Sequence, residues 1–250
     1  MTFRGTTALH YAAQNGRVEA VRLLLEAGAA KDLQDHGDTP LMFASGMGHH
    51  EVVQLLLAFG AERDKASMYG GAVAMHSAAW NGHARLVRLF LRAGTDVDKT
   101  ESTGRTSLHF AAQRDHVEVV QLLLNFAAEK DKRSTDGGWT PLHEAVLNSS
   151  LRVVRLLLDA GAEKDVATDS GITPLHLAAQ NDQPEIARIL VEAGAETEVE
   201  ADDASTPLDL AKSEGHAEIV SILEQHSAKR RRLQLDKSAV WTAVAEEVRS

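Results

Sequence analysis

Twelve histidines and no cysteine stand in this chain of 250 residues, so any metal or acid–base chemistry would fall to imidazole and carboxylate groups. Imidazole ligates zinc and changes charge near neutral pH, which makes the placement of the histidines the first question. His10, His76, His109, His143 and His176 each stand fourth in a recurring seven-residue stretch, with Met42 and Asp209 at the same place in two further copies. A second recurring position holds His49, His83, His116 and His216. Equivalent atoms in stacked copies of a unit lie about one helix-packing distance apart, roughly 8–10 Å, whereas zinc ligands must all come within about 2 Å of the ion. The histidines therefore read as structural, and no metal site is expected. The chain also lacks G-x-x-x-x-G-K-[ST], G-x-S-x-G, H-E-x-x-H and a Gly-rich phosphate loop, so neither an enzyme nor a cofactor is expected. Its carboxylates fall in loops and helix faces. Glu185 and Glu218, for example, open second helices, where they favour the helix dipole.

The stretches that carry the first set of histidines begin at Thr7, Thr39, Val73, Thr106, Thr140, Thr173 and Thr206, a spacing of 32 to 34 residues. That period marks a solenoid, whose unit is too small to bury its own apolar face and becomes stable by stacking. Within the unit from Thr106, the threonine hydroxyl can cap a helix, and the proline after Thr140, Thr173 and Thr206 suits a first helical position. Ala111 and Ala112 permit close helix approach. A turn near Asp115 leads to residues 117–125, VEVVQLLLN, with a broad apolar face on a second helix. Ala-Gly-Ala closes several second helices, as at Ala27 to Ala29 and Ala160 to Ala162. Turn formers such as Asp165, Asp169 and Gly171 then predict a projecting, hairpin-like finger loop before the next threonine.

TPLH followed by alanines, GH-x-EVV-x-LLL-x-AGA and D-x-x-G before the next threonine resemble the ankyrin repeat, from about Thr2 to His226. The resemblance implies an all-α solenoid of seven stacked helix-turn-helix units with finger loops, forming a domain over residues 1–226. It also implies binding of other proteins through the fingers and a concave face of first helices. Where the family usually has asparagine, this chain has Asp32, Asp64, Asp98, Asp131 and Asp165, which are expected to hydrogen-bond their own turns.

Partner contact is expected from aromatic and polar side chains outside the alanine and leucine packing positions, because such residues make strong anchors once desolvated. These are Tyr11, Tyr69, Trp80, Asn81, Arg105, Arg114, Trp139, Asn148, Gln180 and Asn181. Trp139 has a competing structural reading, packing between neighbouring fingers. The third repeat departs most from the pattern: VAM replaces the TPL start and SMYGGA lengthens the finger.

The net charge of −10 is unevenly distributed, with about +3 on residues 227–250 and about −13 on the remainder. An acidic body does not suit phosphate backbones, so the repeats are not expected to bind nucleic acid. No apolar run reaches the roughly 18 to 20 residues of a membrane span, and a monomeric cytoplasmic protein is expected. Residues 227–250 leave the repeat. Lys229, Arg230, Arg231 and Arg232 read either as a solvated helix terminus or as a nuclear import signal, which would make the protein a nuclear regulator or adaptor. Val240, Trp241, Val244 and Val248 share one face of a short helix, expected to dock on the last repeat or to enter a partner's groove. The start of the chain almost at the first repeat also admits a fragment of a larger ankyrin-containing enzyme or channel.

Overall fold

A computed structural model describes residues 6–229 and Arg232. Arg230, Arg231 and the expected helix with Val240, Trp241, Val244 and Val248 lie outside the described residues. The chain separates into two compact units, Met1–Glu163 and Lys164–Ser250. The first unit holds five helix pairs: α1 (Ala8–Gln14) with α2 (Val18–Glu26), α3 (Pro40–Gly46) with α4 (His50–Ala58), α5 (Ala74–Trp80) with α6 (Ala84–Arg92), α7 (Ser107–Gln113) with α8 (Val117–Asn125), and α9 (Pro141–Leu147) with α10 (Leu151–Asp159). The second unit holds α11 (Pro174–Gln180), α12 (Pro184–Glu192), α13 (Pro207–Glu214) and a helix over 217–229. No strand forms among the described residues; the fold is an all-α repeat solenoid.

Seven- and nine-residue helices are too short to hold alone in water, so packing and caps hold them. Within the first unit α1, α3, α5, α7 and α9 pack consecutively, and α2, α4, α6, α8 and α10 form a second layer. The third residue of each heptad fills the space between layers: Leu9, Leu41, Met75, Leu108 and Leu142 are each no more than 1% exposed. Burying each such side chain contributes about 1.5–3 kcal/mol. The paired alanines behind them, such as Ala111 and Ala112, are fully buried and let neighbouring first helices approach.

The fourth residue locks the cap from both sides. In the unit from Thr106, the threonine N–H donates to Nδ1 of His109 (3.1 Å), which leaves the ring proton on Nε2 to donate to the carbonyl of Trp139 in the next finger (3.2 Å). His10, His76 and His176 repeat this bridge to Leu33, Lys99 and Ser205. Val73 has no hydroxyl, yet its N–H still reaches His76 Nδ1 at 3.0 Å, and its side chain is fully buried. The second histidine position joins one repeat to the one before: Nε2 of His49, His83 and His116 donates to the carbonyls of Gln14, Gly46 and Trp80, each at 2.9 Å. Both sets of rings are thus committed to backbone. Among the described residues, no group of three His, Asp or Glu side chains is arranged to hold a metal ion, and no helix is long and apolar enough to cross a membrane.

The fingers are hairpins closed by backbone bonds, such as Ser67 to Ala72, Ser134 to Trp139 and Thr168 to Ile172. The finger aspartates correct one expectation. They do not serve chiefly their own turns: Oδ1 of Asp32, Asp98, Asp131 and Asp165 accepts from the N–H of Glu62, Glu129, Glu163 and Glu196 in the following repeat, at 2.8–2.9 Å. Asp64 accepts instead from the Thr95 hydroxyl (3.0 Å). Repeat spacing explains this, since a carboxylate aimed along the stack meets the next unit's unpaired N–H before it can fold back on its own.

Candidate protein-binding groove

Four residue positions in or beside the first helices have occupants that differ from repeat to repeat. The position after the cap histidine holds Tyr11, Phe43, Ser77, Phe110 and Glu144 in the first unit. The last helical residue is Gln14, Gly46, Trp80, Gln113 or Leu147, and the next is Asn15, Met47, Asn81, Arg114 or Asn148. The residue before the cap is Asp38, Ala72, Arg105 or Trp139 in the second to fifth repeats.

Two small residues in this pattern open a groove. Ser77 stands where Phe43 and Phe110 stand in the flanking repeats, and Gly46 stands where Trp80 follows. The resulting cleft of about 460 Å³ is lined by Met42, Phe43, Met47, Trp80, Asn81 and Phe110, with Asp38 and His76 also on its wall. Phe43 meets the ring of His10 edge-on at 5.8 Å, and Phe110 meets His76 at 5.6 Å and Trp80 at 5.7 Å. The aromatic wall is therefore braced by the same histidines that cap the helices. Met47 is 56% exposed at the rim.

Two arginines border the aromatic wall. The guanidinium of Arg114 lies 4.8 Å over the Trp80 ring, and that of Arg105 lies 4.9 Å over Phe110. Arg105 is also tied to Glu144 Oε1 (2.7 Å) and Gln113 Oε1 (2.8 Å). Burial pushes the Glu144 carboxyl upward and the Arg105 charge pulls it back, so the pair is held in place at a desolvation cost.

Of the residues expected to meet a partner, Trp80 and Asn81 line this groove, and Arg114 and Arg105 border its aromatic wall. Arg105 is less open than expected because Glu144 draws it in, leaving its side chain 19% exposed. Tyr11 is exposed on the first helix, and Tyr69 is 72% exposed on a fingertip, beside the exposed Met68. Trp139 is half-buried with its ring edge-on to His143 at 5.8 Å. Asn148 is exposed in the fifth repeat; Gln180 and Asn181 are exposed in the second unit. The asparagines have a structural task as well: Nδ2 of Asn15, Asn81, Asn148 and Asn181 donates to the carbonyl four residues earlier, at 2.8–2.9 Å, closing the first helix. Lys229 and Arg232 are exposed. Met42, Phe43, Gly46, Met47, Ser77 and Phe110 were not among the expected site residues. Aligning the repeats and asking where a bulky position turns small would have revealed Gly46 and Ser77.

Comparison with known proteins agrees with this architecture. A family model described as ankyrin repeats (3 copies) matches residues 1–67, 75–168 and 160–233. The crystal structure of the human ASB11 ankyrin repeat domain superposes with a TM-score of 0.78 at 27% identity, covering 87% of this chain and 98% of that one. The ankyrin repeat domain of Bcl-3, described as a member of the IkappaB protein family, gives a TM-score of 0.74 at 31% identity over 89% of this chain and 100% of that one. A curated relative, the B-cell lymphoma 3 protein homolog of Mus musculus, is 35% identical over 95 residues, or 38% of this chain. The match spans about a fifth of that protein's length, 21%.

Proposed function

Because the chain belongs to the ankyrin repeat family, whose repeat domains generally mediate protein–protein interaction, we propose that it is a non-catalytic binding module or scaffold. It engages partner proteins through the first-helix face and finger loops of its first unit. The observation that carries this reading is the groove made by Gly46 and Ser77 and walled by Met42, Phe43, Met47, Trp80 and Phe110. Tryptophan and arginine in a concave, partly desolvated setting are the side chains that dominate binding energies at interfaces. Methionines add a surface that adapts to its occupant. Tyr11, Tyr69, Trp139 and Asn148 extend the expected contact beyond the groove within the first unit, and Gln180 and Asn181 offer separate contact positions on the second.

The test is to fill the groove with residues the chain already uses at the same positions. Gly46→Gln copies the first and fourth repeats, and Ser77→Phe copies the second and fourth. Gly46 has no left-handed φ, and an added Cβ would meet Asn81 and Ser77 at 3.6–3.8 Å, an ordinary contact. The double variant should fold as well as the parent and lose the partners that the parent captures from cells. Undiminished capture by a variant with unchanged melting temperature would exclude the groove as the binding surface.

A further inference from the structure

Resting on that reading, we propose that the groove recognises a partner segment in which a hydrophobic anchor is flanked on one side by an aspartate or glutamate, and that Arg114 binds this carboxylate. Arg114 follows the last residue of α7 and is exposed, with its guanidinium stacked over the ring of Trp80, which lines the groove. Among the described residues no carboxylate lies within ion-pair distance of it. Its neighbour Arg105 is the contrast: stacked on Phe110 in the same manner, it is neutralised by Glu144 and bonded to Gln113. One guanidinium is thus consumed by the fold, while the other is positioned by an aromatic face with its charge unanswered.

A stacked guanidinium directs its N–H groups outward in the plane of the fork, which matches a carboxylate bidentately. Stacking restricts the side chain in advance, so less entropy is lost when a partner binds. Phosphate uses the same donors, but phosphate sites gather several arginines, and here the second arginine is already neutralised. Asp38 lines the groove from the N-terminal end of α3, two repeats before Arg114, and its Oδ1 accepts from the Ser67 hydroxyl at 2.7 Å. The groove therefore favours acid at its Arg114 end and disfavours it beside Asp38. Methionine and aromatic walls tolerate many anchor shapes, which leaves the asymmetric charge to set specificity.

A phage-displayed random peptide library selected on the full chain tests this. Selected peptides should carry a Leu, Ile, Met or Phe with Asp or Glu to one side. Arg114→Gln should weaken their binding about tenfold or more without moving the melting temperature. Arg114→Glu should reject them and accept the same peptides with Lys replacing the acid, a charge swap that loss of structure would not produce. Peptides that the Gly46→Gln, Ser77→Phe variant no longer binds, yet which lack an acid or ignore Arg114, overturn this inference and leave the groove as the binding surface. Peptides indifferent to the filled groove overturn both readings. An empty selection, or Arg114-dependent binding of synthetic phosphoserine peptides with none by their glutamate counterparts, also overturns the carboxylate assignment.

Discussion

Ala127, two residues past α8, has φ at +60°, the left-handed conformation that Gly28, Gly60, Gly94, Gly161 and Gly194 supply after α2, α4, α6, α10 and α12. An alanine there crowds its Cβ against the following carbonyl, at about 1–2 kcal/mol, while glycine loses more freedom on folding, about 0.5–1 kcal/mol. Ala127→Gly should stabilise the protein by on the order of 1 kcal/mol, raising the melting temperature by roughly 2–4 °C. An unchanged or lower melting temperature would show that the left-handed turn carries no strain. This residue is legible in the sequence, where Phe-Ala-Ala at 126–128 replaces the Ala-Gly-Ala that closes several second helices. The asparagines are not. Their exposure invited a purely partner-facing reading, and only the coordinates show Asn81, Asn148 and Asn181 closing their own helices.

Between elements, the histidine that opens a second helix constrains the turn of the repeat before it. A Cβ on Gly82, whose φ is +77°, would stand 2.6 Å from the His116 ring, and Gly16 and Gly48 face His49 and His83 in the same way. Where this turn position holds Asp115, the next repeat has Ser150 in place of histidine. Where it holds Asp182, His216 remains but reaches the Ala179 carbonyl through Nδ1 at 2.9 Å, in contrast to the Nε2 bonds of the other three. Gly82→Ala should therefore destabilise by more than the roughly 1–2 kcal/mol of left-handed strain alone. Adding His116→Ser should recover the steric part, giving a favourable coupling of about 1 kcal/mol in a double-mutant cycle read from urea midpoints. Strictly additive effects would mean that the ring moves aside at no cost.

At the scale of the molecule, repetition makes one local property collective. Burial pushes the cap histidines His10, His76, His109 and His176 below their usual range, His109 to about 4. Nδ1 of each accepts a backbone N–H, which a second ring proton at that nitrogen would oppose. The unfolded chain binds protons below about pH 6.5 while these folded rings do not, so stability is full above that pH and falls as pH drops toward 4. For His109 alone the span from 6.5 to about 4 amounts to roughly 3 kcal/mol. Arg105 reinforces the depression and Asp136 opposes it. Urea unfolding at a series of pH values should show this loss, with a shallower slope for His109→Asn; equal slopes would remove His109 from the account.

The repeated heptad, read alone, determined the fold class, the caps, the buried leucines and alanines, and the structural character of the histidines. Each of these rests on contacts whose register is set by a fixed sequence spacing, so a periodic pattern specifies them. Tertiary structure alone decided that Asp32 and its counterparts reach into the following repeat, that Glu144 captures Arg105 while Arg114 stacks on Trp80, and that Phe43, Trp80 and Phe110 wall one groove. Those outcomes depend on which side chains of successive repeats meet across the stack, some thirty residues apart in the chain. Such meetings follow from the distances and angles between packed helices, and a one-dimensional pattern does not carry them.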